Sequence, residues 1–400
     1  MTSSVAPRAE TRPPRVAAPA RMGRFLRVLV GVTTAIHVPV AFGVAELGAR
    51  LGWQRPELIG AAWATAGVLL FVGRARAAMP DRRRNAALVR LVDIPYFIHW
   101  CAALWSLIPS VAATVLAPLV ELLRGAPLRL PMTVYMWSYL SGLVVCGYGI
   151  LVRRRWYRVV EREVHIPGLD ARIDGFRIAH LSDLHVGTLT PRSWAMKWSL
   201  AANARDPDLA VVTGDMVTSG TDFHGDVADA IGLLRARAGV FVSMGNHDYF
   251  GEGEPLISLL RRRGIRVLRN EGVLVERSGA RLWLAAIDDV WTRRDDLGAA
   301  LRGRPEGATT ILLAHDPKRF NEAADAGAEL VLSGHTHGGQ VAVPFLYRWA
   351  NLAKLTYEYT VGLYRRGRSV LYVHPGLGTT GPPMRLGVAP EVSILVLRAG

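Results

Sequence analysis

Over the first 160 residues the apolar positions run together in four long stretches. Beyond residue 172 they break into short β-branched runs set between Gly, Asp and Pro. The stretches free of Asp, Glu, Lys and Arg are 28–45, 58–73, 94–120 and 130–152, of 18, 16, 27 and 23 residues. A bilayer core about 30 Å thick asks for about 20 helical residues, so four membrane-spanning helices are expected. The second gains length if Arg74 and Arg76 snorkel, and the third is too short for a hairpin of two spans, which needs about 40 residues. In the remainder, 177–181, 209–213, 240–243, 281–286, 310–313, 330–332, 369–373 and 392–397 read as strands, and 194–204, 227–237, 255–263 and 317–326 as helices between them. Strands alternating with helices over roughly 230 residues predict an α/β domain with its own core.

Charge separates the same two parts. Residues 1–160 hold 20 Lys and Arg against 6 Asp and Glu (net +14), whereas residues 161–400 hold 28 against 27 (net +1). The basic side chains flank apolar runs instead of clustering on the α/β part, which argues against a nucleic-acid partner and for a topological role. Arg8, Arg12, Arg15, Arg21, Arg24 and Arg27 precede the first span, Arg74, Arg76, Arg82, Arg83, Arg84 and Arg90 lie between the second and third, and Arg153, Arg154, Arg155 and Arg158 follow the fourth. By the positive-inside rule these segments face the cytoplasm. The expectation is a multi-pass protein of the plasma membrane with its C-terminal domain on the cytoplasmic side. Cys101 and Cys146 both fall in apolar stretches, so neither a disulfide framework nor a thiolate zinc site is available to that domain. His37 and His99 lie within spans without an acidic partner and read as helix-packing hydrogen bonds.

Five polar clusters sit where strands end: Ser182-Asp183-Leu184-His185, Gly214-Asp215, Gly245-Asn246-His247-Asp248, Ala314-His315-Asp316 and Gly334-His335-Thr336-His337-Gly338. The carboxyl ends of strands are where open α/β sheets bind ligands, so the five can converge on one crevice. Residues two apart on extended chain point to one side, which lets Asp183 and His185 grip a single ion and turns His335 and His337 toward a common site. Carboxylate oxygens, imidazole nitrogens and an amide oxygen suit Mn²⁺, Fe or Zn²⁺.

The ordered set Asp-x-His, Gly-Asp, Gly-Asn-His-Asp, His and Gly-His-x-His resembles the calcineurin-like metallophosphoesterase superfamily over about residues 173–400. Gly338-Gly339-Gln340 and the run 376–381 are similar to its membrane-associated YkuE- and YaeI-like bacterial branch. The resemblance implies two mixed β-sheets packed face to face and flanked by helices, behind an all-α membrane domain. It implies two divalent metal ions, one held by Asp183, His185 and His337, the other by Asn246, His315 and His335, with Asp215 shared, and His247 contacting the substrate phosphate or leaving group. Asp248 stands where many relatives have Glu and reads as a supporting group. The implied activity is hydrolysis of a phosphoester or pyrophosphate bond by metal-activated hydroxide, with His247 and Asp215 as catalytic residues. Location suggests a phospholipid or lipid precursor as substrate, and the aromatic stretch 341–364 beside the last cluster reads as a membrane-facing lid or acyl-chain groove. The competing expectation is a membrane sensor or scaffold that binds metal or a phosphorylated ligand without turnover. The resulting division is a basic disordered tail 1–24, a transmembrane domain 25–152, a basic interfacial linker 153–172 and a catalytic domain 173–400.

Overall fold

The computed structural model describes residues 19–77, 80–125, 130–277 and 279–400. Among them, four helices are long and apolar enough to cross a membrane, over Leu26–Arg50, Pro56–Arg74, Ala86–Arg124 and Pro131–Arg155. They are built on α1 (Pro19–Arg50), α2 (Pro56–Ala77), α3 (Ile94–Arg124) and α4 (Leu130–Leu151). Helix α1 begins inside the stretch expected to be a disordered tail, and the rest of that tail, 1–18, lies outside the described residues. Small residues let the helices approach: a Cβ on Gly142 of α4 would lie 3.0 Å from Ala102 Cα of α3. Ile108 and Leu122 point outward, 79% and 80% exposed, as side chains that meet lipid would. His37 and His99 join across helices, Nε2 to Nε2 at 2.9 Å, and His99 Nδ1 meets the Tyr139 hydroxyl at 2.7 Å. These are the packing hydrogen bonds expected of polar groups in an apolar bundle.

The α/β part consists of two six-stranded mixed sheets, in the orders β1-β12-β2-β3-β4-β5 and β10-β11-β9-β8-β7-β6. The central strands β2 (Arg177–Leu181), β3 (Leu209–Thr213) and β4 (Val240–Ser243) run parallel in the first sheet, as do β7 (Ala280–Ala286), β8 (Thr309–Leu313), β9 (Leu330–Ser333) and β11 (Ser369–Val373) in the second. Alternation assigns their faces. Ile178, Val211 and Phe241 pack between the sheets against Leu284, Ile311, Leu332 and Tyr372, while Ala179, Leu181, Ala210 and Val212 face the outer helices. Both faces being covered, these strands read as unbroken apolar runs.

Four strands are absent from the sequence-based set: β1 (Arg158–Ile166), β5 (Arg266–Val267), β6 (Glu271–Arg277) and β10 (Gly362–Arg366). All four are edge strands, and β1 carries Arg158, Glu161, Arg162 and Glu163, which mask its alternation. The sheet therefore starts inside the stretch 153–172 read as a basic linker, because β1 pairs in parallel with β12 (Glu391–Ala399).

Candidate metal centre

Asp183 and His185 follow β2, Asp215 follows β3, Asn246 and His247 follow β4, His315 follows β8, and His335 and His337 follow β9. Since β2, β3 and β4 are parallel neighbours, and β8 and β9 likewise, these residues leave each sheet at one end and meet where the two sheets' ends face each other. All are buried except His247 and His335, which are partly open. Asp183, His185, Asp215, His335 and His337 all have left-handed backbones, with φ between 45° and 69°. Such conformations cost about 1–3 kcal/mol each for non-glycine residues and gather where a site over-determines them. Glycine makes the crowding possible: a Cβ on Gly334 would strike Ser182 Oγ and Asp183 Oδ2.

Among the described residues, three groups bring ligand-type atoms within 4.8 Å of one another: Asp183, His185 and His337; His185, Asp215 and His247; and Asp215, His315 and His335. His337 Nε2 lies 3.0 Å from His185 Nε2 and 3.3 Å from Asp183 Oδ1. His315 Nε2 lies 3.2 Å from His335 Nδ1. Asp215 Oδ2 stands between the sets, 3.6 Å from His185 Nε2 and 3.2 Å from His315 Nε2, while its Oδ1 accepts from His247 N (2.9 Å). Burial would raise the Asp215 carboxyl, but the charge and hydrogen bond of His315, with His247 and His185, hold it well below the usual carboxylate range.

The donor set fits a cation. Asp183 Oδ2, Asn246 Oδ1 and His185 Nδ1 are buried without a partner, an unusual state for polar atoms that an ion or water would relieve. His315 Nδ1 is 2.6 Å from Thr213 O, which can only accept, so Nδ1 carries a proton and Nε2 is the ring atom turned toward Asp215, the one that would face a bound ion.

Supporting groups are equally defined. The buried Asp248 carboxylate accepts from the amides of Gly245 (2.9 Å), Asp215 (3.0 Å), Met216 (2.8 Å) and Val217 (3.2 Å), which agrees with its reading as a bracing residue. Two groups escaped the sequence reading. The Tyr357 hydroxyl lies 2.7 Å from His335 Nε2, and was visible only as part of an apolar stretch. Arg385 is fully buried behind His337, with Nη2 3.3 Å from His337 Nδ1 and donated hydrogen bonds to Gly378 O (2.6 Å) and Pro375 O (2.8 Å). Burial pulls its guanidinium down to about 9, opposed by the Asp183 charge. The loop it braces returns to the site, with Leu377 N donating to Ser182 O (3.1 Å) and Gly378 N to Asp183 O (2.7 Å). Arg385→Met orphans those carbonyls at about 1–3 kcal/mol each. It is expected to lower thermal stability and to weaken Mn²⁺ binding by about 10–100-fold, read by thermal melts and metal titration.

Residues 176–339 match the family model for calcineurin-like phosphoesterases. A Danio rerio "transmembrane protein with metallophosphoesterase domain" is 33% identical over 269 residues, covering 64% of this chain and 60% of that protein. The Bos taurus protein of the same description is 32% identical over 293 residues, covering 69% and 64%. The Bacillus subtilis metallophosphoesterase YkuE is 30% identical over 257 residues, covering 63% of this chain and 90% of that protein. The chain thus spans a little under two thirds of the two vertebrate relatives and most of the bacterial one.

Proposed function

Since this chain belongs to the calcineurin-like phosphoesterase family, we propose that it is a membrane-anchored hydrolase that cleaves a phosphoester or pyrophosphate bond at a dinuclear metal centre facing the cytoplasm. The observation that carries this reading is the position of Asp215 Oδ2, within 3.6 Å of a histidine from each of two ligand sets. Asp183, His185 and His337 would hold one divalent ion, and Asn246, His315 and His335 the other, with Asp215 common to both. When bound, such ions supply Lewis acidity, offsetting phosphoryl charge and acidifying water. His247 supplies the proton side of the reaction. Its Nδ1 is 2.7 Å from Thr218 O and must donate there, which aims Nε2, 3.4 Å from Thr380 Oγ1, at the open side of the centre, where a leaving oxygen needs a proton. The cytoplasmic orientation is supported by the arginine-rich loop between α2 and α3 lying against the same domain that follows Arg153–Arg155.

A lipid substrate is the finer part of the proposal. Phe345, Leu355 and Trp349 are 94%, 83% and 73% exposed, a patch that water disfavours. The segment begins next to the bundle: Ala342 N donates to Leu386 O (2.9 Å), and Arg385 N to Gly149 O of α4 (3.4 Å). Tyr357 at its other end touches His335. An apolar strap running from the membrane end of α4 to the metal ligands suits a headgroup ester whose chains stay in the bilayer.

The test uses full-length protein in nanodiscs with Mn²⁺. Expected are about two bound ions per chain, turnover of a chromogenic phosphodiester, and loss of both on chelation. Joint Phe345→Ser and Trp349→Ser should slow a phospholipid ester about tenfold more than the soluble one, since burying such side chains is worth about 1.5–3 kcal/mol each and 1.4 kcal/mol is about tenfold. Failure to recover any bound transition ion overturns the metal reading, and equal slowing of both substrates overturns the lipid one.

A further inference from the structure

Between α2 and α3 the chain forms a short polar loop, 80–85 (Pro-Asp-Arg-Arg-Arg-Asn). Its arginines have an obvious topological use, but its contacts go further. It touches the two segments that carry the centre: 182–190, which holds Asp183 and His185, and 214–223, which holds Asp215. The Asp81 carboxylate accepts from Thr188 N (3.0 Å) and Thr188 Oγ1 (2.7 Å), and that hydroxyl also lies 2.8 Å from Arg82 O. On the other segment, Asp81 N donates to Ser219 Oγ (2.9 Å). Arg83 continues along it, donating from its backbone N to Asp222 Oδ2 (3.2 Å), pairing with Asp226 (2.9 Å) and stacking 4.9 Å over the Phe223 ring.

The fit is made from both sides. A Cβ on Gly220 would lie 2.8 Å from Pro80 Cβ, and one on Gly187 would strike the Asp81 carboxylate and lie 2.7 Å from Thr218 Oγ1. The two clamped segments are also stitched to each other and to the site. Thr218 N donates to Val186 O (3.1 Å), Thr218 Oγ1 donates to His185 O (3.0 Å), and Thr218 O fixes His247 Nδ1. The carbonyl that aims His247 is therefore one residue from Ser219. Arg154, just past α4, adds a second grip by donating to Leu189 O (3.1 Å). At its other end the loop is tied to the bundle, because Asp93, buried at the entry to α3, pairs with both Arg84 (3.4 Å) and Arg74 of α2.

We propose that Asp81 is a positioning residue: with its carboxylate on Thr188 and its backbone N–H on Ser219 it clamps the two ligand-bearing segments together, sets the orientation of His247, and so couples the arrangement of the membrane helices to turnover. A simple membrane tether would not need these contacts, since β1 already connects the domain to α4. The effect on turnover rests on the phosphoesterase reading, whereas the clamping does not.

The experiment compares full-length wild type, Asp81→Ala, Asp81→Asn, Thr188→Val and the Asp81→Ala/Thr188→Val double variant in nanodiscs. Two quantities are read: amide exchange by mass spectrometry without added metal, and kcat and KM on a soluble chromogenic phosphodiester with Mn²⁺. In Asp81→Ala, which loses the carboxylate on Thr188 but keeps the backbone N–H on Ser219, exchange over 182–190 should quicken at least tenfold while β9 stays protected. Its kcat should fall about 10–100-fold with KM within about twofold, the scale expected when a reacting group is slightly misplaced. Asp81→Asn, which keeps one acceptor, should recover part of the loss, and the double variant should be no worse than the worse single one, since both remove one interaction. Unchanged exchange over 182–190, a loosening that spreads to β9, or additive losses in the double variant would overturn the proposal. A wild type that turns over neither the diester nor a monoester or pyrophosphate would sink the phosphoesterase reading and leave the exchange comparison to decide the clamp.

Discussion

Asp215→Asn should reduce Mn²⁺-dependent hydrolysis by about a thousandfold while the protein stays folded. Asparagine preserves the size of the side chain and can still accept from His247 N, as Asp215 Oδ1 does at 2.9 Å. It removes the charge and the second acceptor oxygen, which faces His185 and His315 at 3.6 and 3.2 Å. Removing one preorganised electrostatic group from a catalytic centre typically costs about 2.7–4 kcal/mol of transition-state stabilisation, a factor on the order of 10² to 10³ in rate. Rates on a chromogenic phosphodiester, with elemental analysis of both proteins, supply the measurement. Equal background rates for wild type and variant would mean that the centre binds without turning over, the scaffold reading.

The second large effect is expected from His247→Gln. With Nδ1 committed to Thr218 O, the Nε2 face is the one left for substrate, and a positioned acid typically contributes about 10²–10⁴ in rate. The loss should depend on the leaving group. An alkyl ester, whose oxygen leaves poorly, should suffer the whole of it, and a nitrophenyl ester, which leaves without help, much less. Bound metal should stay at the wild-type level. His185, Asp215 and His247 also converge within 4.8 Å, so metal loss parallel to rate loss would make His247 a ligand and not an acid.

The parts legible in the sequence are those whose physics is local. Leu209–Thr213 is buried on both faces and needs only its apolar run to be read as a strand. Asp183 with His185, and His335 with His337, announce themselves because ligand-type residues stand two apart at strand ends. What escaped depends on contacts between distant positions. β1 looks like a charged linker until β12 lies beside it. Arg385 is an ordinary basic residue in a Gly- and Pro-rich stretch until the fold places it under His337, 48 residues away in sequence. Asp81 belongs to what composition marks as a topological loop, and its partner Thr188 is 107 residues further on. Asp248 shows the intermediate case: its motif was plain, and its use in gathering four amides emerges only once the loops after β3 and β4 are side by side.

The strand order carries a consequence for biogenesis. β1 emerges directly after the last hydrophobic helix, yet its strand neighbour is β12, a stretch made more than two hundred residues later that separates it from β2. During synthesis the helices can enter the bilayer while this first strand waits unpaired, its backbone amides open to solvent or to a neighbouring nascent chain. Contacts so remote along the polypeptide form slowly. The charges at Arg158, Glu161, Arg162 and Glu163 then have a use before the protein is finished, since a charged edge resists wrong pairing during that interval.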